Sequence, residues 1–244
     1  MNVKKLLFNN AISGGGDTSS PTATLITDNL YTHLDAKDIS LKKWNDRMGN
    51  YNFTTSSLSS SSKNRFDLKG YTATSTNFTF GSFPFTLEFA VNITETTAWG
   101  NLFSNTNTGL FQINHRNNGY YGINSSHMSP TTIPKALATA KVNDGTLHIL
   151  DFVFVSSKEL IVYLDGVKQS DITTITFKDT LLGLVGYQIG STGGVITGYV
   201  YSFRFYKKSL SEFEMRCNCL YEANQGRTST STTKQSVTFK AKWK

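Results

Sequence analysis

The sequence predicts an all-β protein: two antiparallel sheets stacked as a sandwich, with one short helix towards the C-terminal end. Three observations predict it. Seventeen Phe and nineteen Gly stand against four Pro in a chain of 244 residues with long Ser, Thr and Asn runs, a composition suited to short strands joined by polar turns. Phe85, Leu87, Phe89, Val91 and Ile93 alternate with Thr86, Glu88, Ala90 and Asn92, the two-residue period of a strand. A single segment, beginning at Ser211, carries the signal of a helix start.

Taken in order, residues 1–24 read as an N-terminal arm that passes through Ser13-Gly14-Gly15-Gly16 into a flexible spacer. Strand character starts at Leu30–Leu34 and resumes at Arg65–Leu68, after a Ser-rich loop that runs through Ser62. Phe85–Ile93 is expected to have one face in the core and the other outside it. Gly100–Ser104, Gly109–Asn114 and Tyr120–Ile123 follow. Asn118-Gly119 tolerates positive φ at both central turn positions, so 110–114 and 120–124 should pair as a hairpin. Thr146–Val155 is apolar on both alternating sets, as in a central strand covered on both faces.

Leu160–Leu164 ends at Asp165-Gly166, a second hairpin turn, with Val167-Lys168 as the return. Leu184–Ile189 and Val195–Tyr206 supply two more strands, the latter expected to carry Tyr199, Tyr201, Phe203 and Phe205 on one face. Ser211 and Glu214 form a capping box, with Leu210 and Met215 placed as a hydrophobic staple. The helix should run to about Ala223, stop at Gly226 and plug an end or an edge of the sandwich. About ten to twelve strands are expected in all. The domain limits are then 1–24 for the arm, 25–226 for the sandwich and 227–244 for a basic tail with a short strand.

The net charge of +7 is unevenly placed: residues 1–24 carry +1 and residues 225–244 carry +5, while the other 200 hold 17 basic and 16 acidic side chains. A folded face that tracks a phosphate backbone is therefore not expected, and nucleic acid is excluded as a partner. No run reaches the roughly eighteen apolar residues of a membrane span. Met1–Lys5 followed by only Leu6, Leu7 and Phe8 is too short for an export signal. Cys217 and Cys219 stand two apart on the helix, facing different ways, and neither a disulfide nor a zinc site is expected of them.

The order of several short motifs resembles the concanavalin A-like lectin/glucanase superfamily, in its laminin-G-like form. Leu34-Asp35-Ala36 with Trp44-Asn45-Asp46-Arg47-Met48-Gly49-Asn50 is similar to the opening of that domain, and Phe85-Thr86-Leu87-Glu88-Phe89 to one of its strands, with Val91 a departure. His148–Phe152 with Ile161–Val167, and Gly198–Glu214, are similar to its later strands and its closing run. The match covers about residues 29–224 and implies a two-sheet jelly roll of the concanavalin A-like kind. It also admits Ca²⁺, known in some members, although no compact acidic cluster marks a site here; no other cofactor or metal is expected. Within these motifs Trp44 reads as a packed lid, Asp165-Gly166 as a turn and His148 as a side chain held by hydrogen bonds. Arg204 is expected to order a loop or to pair with an acid such as Asp35.

Glycosidases of this resemblance place carboxylates along one strand, and hydrolysis needs two of them about 5–9 Å apart. None of the six glutamates, Glu88, Glu95, Glu159, Glu212, Glu214 and Glu222, begins such a run, so no catalytic residue is expected and the chain is read as no enzyme. For glycan binding, stacking aromatics must stand beside amides and charged groups. Trp99, Asn101, His115, Arg116, Asn117, Asn118 and Tyr120 offer that mixture, against the alternative of an ordinary polar hairpin and its core. Tyr120 and Tyr121 face opposite ways, so at most one is a platform.

The ends suggest attachment. Lys4, Leu6, Leu7 and Phe8 form one candidate anchor, and Phe239 and Trp243, on an alternating cationic segment, form another. These features predict a non-catalytic virion accessory protein of head- or tail-fibre type, as in bacteriophages, assembled through its ends with virion proteins or identical subunits and displaying its sandwich towards host-surface glycans. A bacterial carbohydrate-binding or adhesion module, extracellular or on the cell surface, is the alternative, and a glycoside hydrolase the next.

Overall fold

The computed structural model describes residues 23–56, 64–96, 99–107, 109–116, 119–134, 141–191 and 196–227. The anchor candidates Lys4, Leu6, Leu7, Phe8, Phe239 and Trp243, the glycine spacer, the tail strand, and Asn117 and Asn118 lie outside the described residues.

In chain order the strands are β1 (Leu30–Ser40), β2 (Lys43–Asp46), β3 (Phe53–Thr55), β4 (Phe66–Asp67), β5 (Ala73–Ser75), β6 (Phe85–Thr96), β7 (Gly100–Asn105), β8 (Gln112–His115) and β9 (Tyr121–Asn124). Then come β10 (Met128–Ser129), β11 (Thr132–Ile133), β12 (Leu147–Ser156), β13 (Glu159–Leu164), β14 (Val167–Ile172), β15 (Thr176–Phe177), β16 (Tyr187–Ile189), β17 (Ile196–Tyr206) and the helix α1 (Glu212–Ala223). There are more strands than expected, because two-residue strands such as β10, β11 and β15 are too short to leave a period in the sequence.

One hydrogen-bonded path, β11-β9-β8-β7-β16-β5-β3-β2-β1-β17-β6-β12-β13-β14, folds over on itself as a sandwich. β1 takes it round the corner: Leu30–Asp35 pairs with β17, Ile39 and Ser40 pair with β2, and the register breaks between Leu34 and Ile39. β4 pairs with β17, and β10 with β15; the front sheet is β1, β17, β6, β12, β13 and β14, and the back sheet is β2, β3, β5, β16, β7, β8, β9 and β11. Their inner faces meet through aromatic rings from strands that are not neighbours in the path. Phe103 of β7 stacks on Phe203 of β17 at 5.4 Å, and Tyr121 of β9 meets Phe152 of β12 edge-on at 6.2 Å. Each buried Phe contributes about 1.5–3 kcal/mol of apolar transfer energy, so this ring-filled interior is the main source of stability. Trp44 is fully buried against Phe66 at 5.2 Å, as its reading as a lid requires.

Several expectations change. Both faces of β6 are buried along Phe85–Ile93, because α1 lies over the outer one. The helix thus covers a sheet face and does not plug an end or an edge: Met215 packs with Leu30, Val153, Tyr163 and Tyr206, and Cys219 with Ala90, Ile149 and Tyr201. Its capping box forms as read, Ser211 Oγ accepting from the Glu214 amide. Both thiols are buried and free.

The aromatic residues of β17 do not share a face either. A bulge between Val200 and Ser202 turns Val200, Phe203 and Phe205 into the core and leaves Tyr199 and Tyr201 on the outside. Finally, Arg227 is not part of a solvated tail; it is buried against Asp35 and Glu222.

Candidate functional site

Each sheet carries a row of polar side chains on its outward face, set side by side by the strand register. On the front sheet the row runs His33, Arg204, Glu88, Asp151, Tyr163 and Lys168, one residue on each of six strands. α1 closes over it. Arg204 pairs with Glu88 and with Glu222 of the helix, and Asn218 Nδ2 donates to Glu88 Oε2 at 2.8 Å. Arg227 reaches Glu222 and Asp35, and Arg47 Nη2 stands 3.3 Å from Asp35 Oδ2. Arg204 thus pairs with Glu88 and Glu222 and not, as expected, with Asp35.

Burial shapes the charges in this row. It pushes Asp151 well above the carboxylate range, and the neighbouring Glu88 charge adds to the push. Burial, helped by Arg204 and Arg47, holds His33 down to about 2. Burial would also raise Asp35, but the Arg227 charge and hydrogen bonds from it bring its carboxyl below the ordinary value. The carboxyl groups of Glu88, Glu222 and Asp35 face the guanidinium groups of Arg204, Arg227 and Arg47.

The back sheet carries the second row. Lys43, Thr54, Thr74, Gln188, Ser104, Gln112, Asn124 and Thr132 are successive cross-strand partners on β2, β3, β5, β16, β7, β8, β9 and β11. Beside it lies a shorter row, Asn101, Asn114 and Gly122. Asn101 and Ser104 share a face despite their odd spacing because the β7–β8 register shifts between Asn101 and Phe103. These are amides and hydroxyls, with Lys43 at one end and no carboxylate. The Oγ of Ser104 and the Oδ1 atoms of Asn114 and Asn124 are buried, with no hydrogen-bond partner among the described residues. Among the described residues no helix crosses this row, in contrast with the front sheet.

The candidates named from sequence separate here. Trp99 and Arg116 come together beside the shorter row: Trp99 is exposed, and the Arg116 guanidinium lies 3.7 Å from its ring centroid, while Asn101 stands at the β7 end of that row. His115 turns the other way; it is fully buried, edge-on to Tyr121 at 4.9 Å, and burial lowers it to about 4. Tyr120 is half-buried, and its carbonyl accepts from the Arg116 amide at 2.9 Å to close the turn. Ser104, Gln112, Asn114, Asn124 and Gln188 were missed. The polar alternation of Gln112 and Asn114, with Asn124 opposite Gln112 in the same hairpin, was the available signal; Ser104 and Gln188 are brought side by side by a pairing between distant segments.

His148 is held as read, with Nδ1 2.8 Å from Asp165 Oδ2 and Nε2 3.1 Å from Asp144 Oδ1. Asp165 and Gly166 adopt φ of 52° and 71°, the tight turn of the β13–β14 hairpin. Among the described residues no three His, Cys, Asp or Glu side chains gather as ligands for a metal.

The family model Laminin_G_3, described as Concanavalin A-like lectin/glucanases superfamily, matches residues 66–215. No curated protein matches the sequence. Among solved structures, Trypanosoma rangeli sialidase in complex with 2,3-difluoro-KDN is similar with a TM-score of 0.62 at 17% identity, over 81% of this chain and 33% of that one. The binding domain of Paraclostridial Mosquitocidal Protein 1 gives 0.58 at 13% identity, over 81% and 53%. Domain 4 of AbnA, a GH43 extracellular arabinanase from Geobacillus stearothermophilus, in complex with arabinotriose, gives 0.60 at 14% identity, over 78% and 98%. The chain spans about a third of the length of the sialidase it matches, and at these identities the likeness is one of fold.

Proposed function

Because the chain belongs to the Concanavalin A-like lectin/glucanases superfamily, we propose that it is a non-catalytic, lectin-like module that binds glycan on the outward face of its back sheet. The observation that carries this reading is the in-register row from Lys43 to Thr132, flanked by the exposed Trp99. Amides and hydroxyls on adjacent strands stand about 4.8 Å apart, a spacing on which the hydroxyls of successive sugar rings can find one donor or acceptor after another. An indole at its margin offers the apolar surface that sugar rings also need. The AbnA domain, nearly all of which is matched here, was solved with arabinotriose, and this adds support at the level of the fold.

The absence of chemistry is argued from the same face. A hydrolase needs two carboxylates open to the substrate, and the row has none among its residues. The carboxyls that do lie side by side, Glu88 and Asp151, are sealed beneath α1. Printed glycan arrays, followed by calorimetry and a reducing-end assay on any binder, test both halves. Binding without release of reducing ends is expected; turnover would refute the non-catalytic reading, and a blank array the glycan reading.

For its setting, we propose display on a virion, with the terminal segments docking to other virion proteins or to identical subunits and the sandwich facing host glycans. The support is the composition of the two ends. Deleting residues 1–24 should abolish incorporation into particles; normal occupancy of the truncated chain would leave the extracellular or bacterial-surface module as the better setting.

A further inference from the structure

Resting on the glycan reading above and deepening it, we infer that Arg116 is the positioning residue of this face: it lies on Gly122 and holds the Trp99 indole in place as a stacking platform for one sugar ring. Arg116 is only 8% exposed, whereas Trp99 is 53% exposed. The guanidinium carbon sits 3.7 Å from the Trp99 ring centroid, within cation–π range. Beneath it is Gly122, where an added Cβ would fall 2.7 Å from Arg116 Nε, 3.0 Å from Nη2 and 2.9 Å from the Ile133 carbonyl oxygen. Any larger residue at 122 would push the guanidinium off its seat, since the Ile133 backbone blocks the other way out.

The polar edge of Arg116 explains why it supports the platform and does not grip the ligand. Nε and Nη2 have no hydrogen-bond partner among the described residues, and both are shut from solvent against Gly122. A guanidinium placed to seize an anion or a hydroxyl would turn that edge outwards. What this arginine contributes is its contact with the indole. An exposed tryptophan otherwise samples several rotamers, and a ligand must suppress all but one; an indole already held in place spares the ligand that cost. Asn101, two residues beyond Trp99 along the chain, stands at the β7 end of the shorter row. A sugar ring could rest its apolar C–H face on the indole while a hydroxyl reaches the Asn101 amide.

Incorporation of 5-fluorotryptophan, with the Trp99 resonance assigned by Trp99→Phe, reads the platform without any ligand. Arg116→Lys, which keeps the charge but loses the flat group, and Gly122→Ala, which removes nothing, should both move the Trp99 ¹⁹F resonance towards its solvent-exposed position and narrow it. On the printed glycan array, both variants should bind about 3- to 10-fold more weakly than the unmodified chain, the range expected from freeing one side chain, and Trp99→Ala should bind more weakly still. A melting temperature close to that of the unmodified chain separates this from general damage, and Arg116→Lys serves alone if Gly122→Ala does not fold. A resonance unmoved in both variants overturns the positioning role. A moved resonance with undiminished binding overturns the platform. If the unmodified chain binds nothing on the array, the glycan reading falls and takes the platform with it, while the resonance still reports separately whether Arg116 holds the indole.

Discussion

Arg227, the last described residue, sets Nη2 2.8 Å from Oδ2 of Asp35 on β1, with both side chains almost wholly withdrawn from solvent. The pair ties the end of the fold to its first strand across the outward face of the front sheet. A second contact, Arg227 Nη1 to the Tyr201 carbonyl at 2.9 Å, fixes the guanidinium over β17.

Removing one member of such a pair leaves the other charged and buried, at a cost of about 3–5 kcal/mol. Arg227→Ala should lower the unfolding free energy by about that much, seen as a lower urea midpoint at unchanged slope. A midpoint that hardly moves would mean that the contact contributes nothing.

Two buried histidines should make the fold acid-sensitive before its carboxylates titrate. His33 is held to about 2 and His115 to about 4, each chiefly by burial, while both rise to about 6.5 when the chain unfolds. A depressed folded value gives stability that is complete above pH 6.5 and falls as protons bind the unfolded chain, down to about pH 4 for His115 and further for His33. The slope is up to about 1.4 kcal/mol per pH unit for each histidine. Urea midpoints measured from pH 7 to pH 4 should fall in the native protein and flatten in His33→Gln and His115→Gln. Asp35, held low, adds its own loss only below the ordinary carboxylate range.

Asp151 acts with the opposite sign. Its folded value is raised, by burial and then by Glu88, so its contribution is complete below the unfolded value and is lost as pH rises through the folded one. Asp151→Asn removes the titration and keeps the shape. The variant should therefore gain stability relative to the native protein as pH increases, by the same urea assay. A difference that does not change with pH would show that Asp151 does not hold its proton in the fold.

The back-sheet row should govern binding and not stability. Gln112→Ala and Gln188→Ala each remove one half-buried amide, worth about 1 kcal/mol as a hydrogen bond, so glycan affinity should drop by about 5- to 10-fold in calorimetry while melting temperatures hold. Thr74→Asp, which places a charge at a half-buried position in the middle of the row, should abolish binding to neutral glycans. Unchanged affinity in all three would move the site elsewhere.

Much of this was legible in the chain. The β8–β9 hairpin follows from Asn118-Gly119, the β13–β14 hairpin from Asp165-Gly166, and the start of α1 from Ser211 and Glu214, because each depends on residues within a few positions of one another. The outer face of β6 was misread for the same reason. Thr86, Glu88 and Asn92 look like a solvent face unless it is known that a helix more than a hundred residues later lies over them. At the candidate site, Trp99, Asn101 and Arg116 could be picked out by residue type, whereas the inward turn of His115 follows from its register opposite Tyr121.

Local order along the chain therefore determined the strands, turns, helix cap and family resemblance, since periodicity and capping act over one or two turns of backbone. Only the tertiary structure decided which polar residues stand in line, and which of the two lines is buried. Cross-strand neighbours such as Gln188 and Ser104, or Glu88 and Asp151, are set by register between segments far apart in sequence. The same long-range packing brings α1 down over the front sheet.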